Sequence, residues 1–199
     1  MTEPTVFSQL SSRYAEGRVP WDDPLPPPEV IEMAAKLPPG RALDLGCGYG
    51  RASIYLAHHH WQVDGVDFVE KAVAEATRRA AAAGVAASVQ FHLGQVTDLH
   101  FLTGLYDFAL DVGCMHSLDN EGLRCYRDGL FRLLRPGGLY LLFAHLRDDT
   151  AEVPGRGVYE QTIHTLFGPH FTLETVRHGM TQVEDKPAWA SAWFWFRRN

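Results

Sequence analysis

The stretch "LDLGCGYGR", Leu43 to Arg51, decides the fold class of this chain. An apolar segment leads into glycines at alternate positions, and a helix-forming run, "RASIYLA", follows directly. Glycine lets the backbone turn tightly and lets a ligand come close to the main chain. A strand, a glycine turn and a helix in this order are typical of doubly wound α/β folds, which bind ligands at the carboxyl ends of their strands. The stretch therefore predicts a ligand site at the glycine turn.

Strand-like and helix-like segments alternate after this stretch. The strand-like segments are "RALDL", "WQVDGVD", "ASVQFHL", "YDFALDV" and "LYLLFAH", and the helical pattern "EGLRCYRDGLFRLLRPGG" is expected to stop at Pro136, Gly137 and Gly138. This alternation predicts a parallel sheet with right-handed crossovers. The last two strand-like runs, "HFTLETVRHG" and "AWASAWFWFRR", have no helix between them and predict an antiparallel hairpin. We therefore expect an α/β, Rossmann-like, doubly wound seven-stranded sheet, mostly parallel with an antiparallel C-terminal hairpin and with helices on both faces.

The bulk composition bounds the organisation of the chain. Its 199 residues are 46% apolar, which suits one sizeable core, so we expect a single domain over residues 1–199. Within it, residues 1–28 form a proline-rich N-terminal segment, residues 41–145 the ligand-binding core, and residues 146–199 a substrate-side insertion and the C-terminal hairpin. A monomer and a homodimer fit the sequence equally well.

Charge and cysteine usage exclude several classes of function. The net charge is -6 with acids and bases interspersed, so there is no basic block for nucleic acid or for a membrane surface. No apolar run is long enough to span a bilayer. Three widely spaced cysteines fit a reducing cytoplasm.

No metal site is expected: the side chains of His58, His59 and His60 diverge by about 100° from one to the next on a helix and cannot converge on one ion.

Several segments, taken in order, resemble the class I S-adenosylmethionine-dependent methyltransferases. The segments that carry the resemblance are "ALDLGCGYGR", "VDGVDF", "FHLGQVTDL", "YDFALDVGCMHSL" and "LLRPGGLYLLFA". The pattern D-x-G-x-x-H at Asp111, Gly113 and His116 is similar to the small-molecule branch that includes the thiopurine-like and tellurite-resistance-like enzymes. The resemblance implies S-adenosyl-L-methionine as cofactor, S-adenosyl-L-homocysteine as product, and a small-molecule acceptor with a sulfur, oxygen, nitrogen, halide or chalcogen nucleophile.

The resemblance also implies cofactor contacts at matching positions. Asp44 would receive the ammonium group, Asp67 would hold the ribose hydroxyls and Phe68 would lie on the adenine face. The implied cofactor-binding set is Trp21, Asp44, Gly46, Cys47, Gly48, Asp67, Phe68, Gln95, Val96, Asp111 and Val112. Gln95 departs from the aspartate common in the family, but an amide oxygen also accepts a hydrogen bond from the adenine amino group.

Two histidines are candidates for acid–base catalysis. His116 follows the fourth predicted strand and His145 ends the fifth, and a histidine can take a proton near neutral pH. The alternative for His116 is a structural one, in which it caps or packs against the next helix. The implied substrate-contacting residues are Tyr14, Trp21, His116 and Tyr159. An acceptor that is already ionised in water needs no base.

The segment "VPWDDPLPPPEV", Val19 to Val30, precedes the fold with five prolines. The resemblance extends to it with less support and implies that it folds over the cofactor. Trp21 would lie near the sulfonium, because an aromatic face attracts a cation, while Arg13 and Tyr14 would close the rim. Prolines would then lower the entropy lost when the segment orders over its ligand. We therefore expect residues 1–28 to form a lid.

Two other functions remain open from the sequence. One is a nicotinamide-dependent oxidoreductase, although Arg51 stands where the G-x-G-x-x-G fingerprint has its last glycine. The other is a protein that binds S-adenosylmethionine without methylating anything. The intact glycine turn and Asp67 support binding, but they do not establish turnover.

Overall fold

The computed structural model of this protein describes residues 6–17, 19–147, 157–182 and 187–199. A seven-stranded sheet has the order β3-β2-β1-β4-β5-β7-β6. The first five strands are parallel, and β7 pairs antiparallel with both β5 and β6. The strands are β1 (Arg41–Leu45), β2 (Gln62–Asp67), β3 (Val89–Leu93), β4 (Tyr106–Val112), β5 (Leu134–His145), β6 (Phe171–Thr181) and β7 (Trp189–Arg198). The predicted doubly wound sheet with its C-terminal hairpin is confirmed.

Helices precede, connect and flank these strands. They are α1 (Val6–Glu16), α2 (Pro28–Lys36), α3 (Arg51–His58), α4 (Glu70–Ala82), α5 (Asn120–Leu133) and α6 (Glu160–Phe167), with a 3₁₀ turn at Met115–Ser117 after β4. Local chemistry sets several of their ends. Pro28 begins α2, where its missing N–H costs nothing, and Gly84 follows α4 with a φ of 72° that glycine adopts freely. None of the helices in the described ranges is long and apolar enough to cross a membrane.

One predicted boundary is wrong. The helix that was expected to reach Pro136 ends at Leu133, and β5 begins at Leu134, which pairs with Tyr106. A residue that precedes proline is pushed toward extended geometry, so Arg135 cannot continue the helix. The pairing with β4 shifts register between Tyr106 and Phe108 and becomes regular again from Leu139.

The aromatic C-terminal strand packs into both layers of the core. Phe194 and Phe196 are buried with the α5 and α6 side chains, whereas Trp195 is buried on the other face with residues of α2 and α3. Strand alternation thus places aromatic side chains of β7 in the core on both faces of the sheet. With both faces covered, the carboxyl ends of the parallel strands are left as the place where a ligand can enter.

Candidate active site

The glycine turn after β1 forms the floor of the site. Gly46, Gly48 and Gly50 have φ values of 75°, 54° and 78°, in the left-handed region that favours glycine. The backbone N–H groups of Gly46 and Cys47 both donate to the carbonyl of Val66 in β2 (2.9 and 3.0 Å). A Cβ at Gly48 would stand 2.9 Å from the hydroxyl of Tyr14. The turn is therefore pinned to β2 and is tightly packed against the N-terminal segment.

A solvent-open cavity lies on this turn. The lining includes these residues of the predicted cofactor set: Trp21, Asp44, Gly46, Cys47, Gly48 and Val112. It also includes Val19, Asp22, Tyr49, Arg51 and Ala52. The geometry thus brings together the end of β1, the end of β4 and the proline-rich segment.

Two buried carboxylates flank the turn. Asp44 accepts a hydrogen bond from the Ser53 hydroxyl (2.6 Å), and Asp67 accepts bonds from the backbone N–H groups of Gly48 and Val69 (2.9 Å each). Burial raises the pKa of Asp44 from 3.8 to about 6 and also raises the pKa of Asp67. Within the described ranges, no lysine, arginine or histidine forms an ion pair with either carboxylate. The turn therefore offers negative charge and unused acceptor positions to a ligand.

The N-terminal segment is docked on the turn through its aromatic side chains. Tyr14 is buried, and its ring makes edge contacts with Tyr49 (centroids 5.2 Å apart) and Trp21 (6.0 Å). The indole N–H of Trp21 donates to the Tyr14 hydroxyl (3.3 Å), and the guanidinium of Arg13 lies 5.8 Å from the Trp21 ring centroid. Trp21 still keeps 36% of its surface exposed at the mouth of the cavity. This arrangement is compatible with a lid, which stays a prediction.

Ion pairs that the sequence did not indicate hold the same segment to the core. Asp22 accepts two hydrogen bonds from the guanidinium of Arg79 in α4, both of 2.7 Å, and Arg79 stacks over the ring of Tyr49 at 4.6 Å. Asp23 pairs with Arg51 at 3.1 Å. Asp22 and Arg79 are 57 positions apart, so no local pattern could have revealed this contact.

The predicted adenine-side residues lie outside the cavity lining. Phe68 is partly buried beside Val69, Gln95 is exposed, and Val96 is buried in the core. The side chain of Gln95 accepts a hydrogen bond from the Thr97 hydroxyl (3.4 Å). All three follow β2 or β3, whose carboxyl ends neighbour the turn in the sheet order. Their contacts with the cofactor stay predictions.

Asp111 and Val112 face opposite sides of β4. Val112 lines the cavity, whereas Asp111 is fully buried and accepts hydrogen bonds from the hydroxyl of Tyr126 (2.8 Å) and from the backbone N–H groups of Cys114 (2.6 Å) and Met115 (2.9 Å). Adjacent residues of a strand point to opposite faces, so the two cannot both enter the cavity. Burial raises the pKa of Asp111 to about 7. The observed role of Asp111 is to hold the 3₁₀ turn after β4.

The two candidate bases are stacked on each other. The rings of His116 and His145 lie with centroids 4.4 Å apart, and the backbone N–H of His145 donates to Nδ1 of His116 (3.4 Å). Burial lowers the pKa of His116 to about 3 and that of His145 to about 4. Groups with such low pKa values are neutral at physiological pH and are weak bases. The geometry therefore lends no support to a general-base role for either histidine.

Tyr159 and Cys47 are the last of the predicted substrate-binding and cofactor-binding residues. Tyr159 stands just before α6, 44% exposed, with the Arg147 guanidinium 5.3 Å from its ring centroid. Burial raises the pKa of the Cys47 thiol, which makes it a poor nucleophile. In the part of the chain that the structure describes, no group of three or more histidine, cysteine, aspartate or glutamate side chains could hold a metal ion.

Comparisons with known proteins agree with this architecture. Residues 42–138 match the family described as "Methyltransferase domain". An uncharacterized methyltransferase of Synechocystis sp. is 31% identical over 112 residues, which cover 56% of this chain and 50% of that protein. The chain thus spans about half the length or less of the first curated relatives it matches.

Two solved structures share the fold over most of the chain. The Burkholderia thailandensis 1,6-didemethyltoxoflavin-N1-methyltransferase, solved with 1,6-didemethyltoxoflavin and S-adenosylhomocysteine bound, has a TM-score of 0.74 and 26% identity, covering 96% of this chain and 86% of that one. TehB from Haemophilus influenzae has a TM-score of 0.76 and 18% identity, covering 95% of this chain and 67% of that one. Together with the glycine turn, the carboxylates that flank it and the sheet order, these matches show that residues 42–138 form a methyltransferase domain and that the chain is similar in fold to S-adenosylmethionine-dependent methyltransferases.

Proposed function

We propose that this protein binds S-adenosyl-L-methionine on the glycine turn and transfers its methyl group to a small-molecule acceptor. One observation carries the proposal: Asp44 and Asp67 are buried at the turn with raised pKa values, and among the described residues neither forms an ion pair. The Ser53 hydroxyl and the charge of Arg51 offset the effect of burial on the pKa of Asp44 only in part. Burying unpaired carboxylates is costly, and a ligand with positive charge lowers that cost. S-adenosylmethionine has an ammonium group and a sulfonium, so the donor set fits it.

The residues present supply a place for each part of the cofactor. Asp44 would accept from the ammonium group, and the backbone of Gly46 to Gly48 would line the methionine portion. Asp67 uses one bond on each carboxylate oxygen for the backbone, which leaves acceptor capacity for ribose hydroxyls. Phe68, Gln95 and Val96 would meet the adenine. When bound, the cofactor supplies an activated methyl group on a positively charged sulfur.

The chain's own contribution is positioning and the exclusion of water. Val19, Trp21 and Val112 line the cavity, and we propose that they confine an acceptor near the turn. Alignment of two reactants can contribute about 7–11 kcal/mol to a displacement. Because His116 and His145 are neutral, weakly basic rings, we propose that the acceptor atom is nucleophilic without help from a protein base.

The N-terminal segment, residues 1–28, is proposed as a lid of this single domain. The Tyr14–Tyr49 ring contact and the Asp22–Arg79 pair support it, since both attach the segment to elements that flank the cavity. The acidic net charge supports an uncharged or cationic small molecule over nucleic acid as the partner. A monomer or homodimer in the cytoplasm fits these features.

Calorimetric titration with S-adenosylhomocysteine and, separately, with NAD tests the cofactor. We expect S-adenosylhomocysteine to bind and NAD to leave no heat signal, while NAD binding alone would mean an oxidoreductase. Turnover is tested by the release of S-adenosylhomocysteine in the presence of thiols, halides, phenols, amines and carboxylates. Binding without release from any of them would favour a non-catalytic cofactor-binding protein.

A further inference from the structure

A band of aromatic rings lies at the ends of β5 and β7 and at the turn after β4. It consists of His116, Phe143, His145, Trp189 and Trp193, and it is called the ring band below. Ring centroids are 4.4 Å apart for His116 and His145, 5.4 Å for Phe143 and His145, 5.1 Å for His145 and Trp189, and 5.0 Å for Phe143 and Trp193. All five side chains are partly exposed, unlike the fully buried ring of Phe194 in the same sheet.

The ring band continues directly from the cavity. Val112 lines the cavity and is the register partner of Phe143, which is in turn the partner of Trp193. Side chains paired in register share one face of a sheet, so these three form a continuous row. A Cβ on Gly113 would lie 3.4 Å from Cε1 of His116 and 3.7 Å from Cδ1 of Phe143. The rings therefore extend the same face beyond the glycine turn.

Two N–H groups of the ring band have no acceptor among the described residues. Nδ1 of His116 accepts from the backbone of His145, which places the proton of the neutral ring on Nε2. Among the described residues, nothing is hydrogen-bonded to that Nε2. Nε1 of Trp189 is buried and has no hydrogen-bond partner in the part of the chain that the structure describes. A buried N–H without a partner is uncommon and is satisfied when a ligand brings an acceptor.

The ring band holds no charge of its own. Burial is the cause of the low pKa of His145, and burial together with the other imidazole lowers that of His116. Apart from the two imidazoles themselves, no charged group contributes to either pKa. A charged group buried against these rings would lose hydration, and the attraction of a cation to an aromatic face would not offset that loss.

We infer that the ring band is the acceptor-binding surface, and that its ligand is a planar, uncharged heteroaromatic molecule with a carbonyl oxygen or ring nitrogen at its edge. The inference rests on the proposed methyl transfer and names the acceptor class for it. The rings stack on the face of such a molecule, and the N–H groups of His116 and Trp189 meet its edge. His116 then orients the acceptor by donating a hydrogen bond, and it does not remove a proton.

Equilibrium binding to the full chain tests this assignment. The probes are lumazine and hypoxanthine, which are flat and uncharged with acceptor edges, against the cation tryptamine, the anion indole-3-acetate and the non-aromatic cyclohexanone. In the presence of S-adenosylhomocysteine, we expect the first two to bind more tightly than the others by a factor on the order of ten. Trp189→Phe and His116→Phe keep a ring but remove an N–H, and each is expected to weaken lumazine binding roughly three- to tenfold.

Trp61→Phe is the matched control, because Trp61 also has a buried, unpartnered indole N–H but lies in the opposite core under α3. It should leave lumazine binding unchanged, and all three variants should bind S-adenosylhomocysteine as the native chain does. The assignment is overturned if the charged or aliphatic probes bind as tightly as lumazine, or if Trp189→Phe and His116→Phe bind lumazine normally. If the native chain does not bind S-adenosylhomocysteine, the proposed function is refuted. Binding of the probes in the absence of S-adenosylhomocysteine then still tests whether the ring band prefers flat, uncharged molecules.

Discussion

The pair between Asp22 and Arg79 is predicted to control how well the N-terminal segment closes the cofactor site. Asp22 lies in the proline-rich stretch and lines the cavity, and Arg79 belongs to α4 on the core. Their two hydrogen bonds of 2.7 Å form a bidentate contact, and Asp22 raises the pKa of Arg79. Asp22→Asn keeps the size of the side chain but removes its charge and half of its acceptor capacity.

The exposure of the two side chains limits how much Asp22→Asn can weaken the docking of the N-terminal segment. The two side chains are 22% and 33% exposed, so the pair is partly screened by solvent. Arg79 retains Glu75 at 2.8 Å in the variant, so no cation is left unpaired. Weakening a bidentate, charge-assisted contact under these conditions costs about 1 kcal/mol. If docking of the segment is coupled to cofactor binding, the dissociation constant for S-adenosylhomocysteine rises about fivefold.

Calorimetric titration of the two variants Asp22→Asn and Asp23→Asn gives a matched comparison. Asp23 is the next residue, is 73% exposed and has a 3.1 Å contact to Arg51, so its substitution should change the affinity less than about twofold. The fivefold effect of Asp22→Asn should shrink as the salt concentration rises, because the pair is screened. Equal affinities for the native chain and Asp22→Asn, or equal losses in both variants, would refute the coupling of the segment to the site.

Three further predictions concern the same site. Asp67→Ala should weaken S-adenosylhomocysteine binding at least about tenfold, or about 1.4 kcal/mol, and an unchanged dissociation constant would show that the ribose contact is misassigned. With a free-state pKa of about 6 at Asp44, affinity should be full above that pH and fall as the pH drops through it, and Asp44→Asn should abolish this dependence, as titrations across the pH range will show. Deletion of residues 1–28 should abolish most methyl transfer in a release assay, and full activity in the truncated chain would contradict the lid.

The sheet and the floor of the site were predictable because their signals are local. The glycine spacing of "LDLGCGYGR", the apolar runs and the helix-free tail each depend on neighbouring residues, and general rules of connection turn them into a parallel sheet with an antiparallel tail. Asp44 and Asp67 follow from the same local pattern, because each stands near the carboxyl end of a parallel strand. The local pattern thus predicts that both carboxylates lie at the edge of the sheet where the parallel strands end.

The rest depended on contacts between distant segments. The pairing of Asp22 with Arg79 joins two segments that have no shared pattern, and the stacking of His116 on His145 is created by the side-by-side placement of β4 and β5. Burial, together with the stacking for His116, lowers the pKa of both histidines, so they are neutral at physiological pH and are weak bases. The opposite orientation of Asp111 and Val112, by contrast, follows from strand alternation alone and was available from the sequence.

Three carboxylates at one edge of the sheet connect the stability of this fold to its ligand. Asp44, Asp67 and Asp111 lie at or next to the carboxyl ends of β1, β2 and β4, all are buried, and burial raises the pKa of each. A carboxyl whose pKa is higher in the folded chain than in the unfolded one binds more protons when folded, so its contribution to the free energy of unfolding falls as the pH rises from about 4 to 7. Asp111 offsets this cost with three hydrogen bonds and holds the turn that carries His116. Asp44 and Asp67 have fewer partners and stand beside the open turn, which is where a cationic ligand removes the cost. The buried carboxylates with the fewest hydrogen bonds therefore stand where the positive charge of S-adenosylmethionine would stabilise them, and the bound cofactor would stabilise the fold.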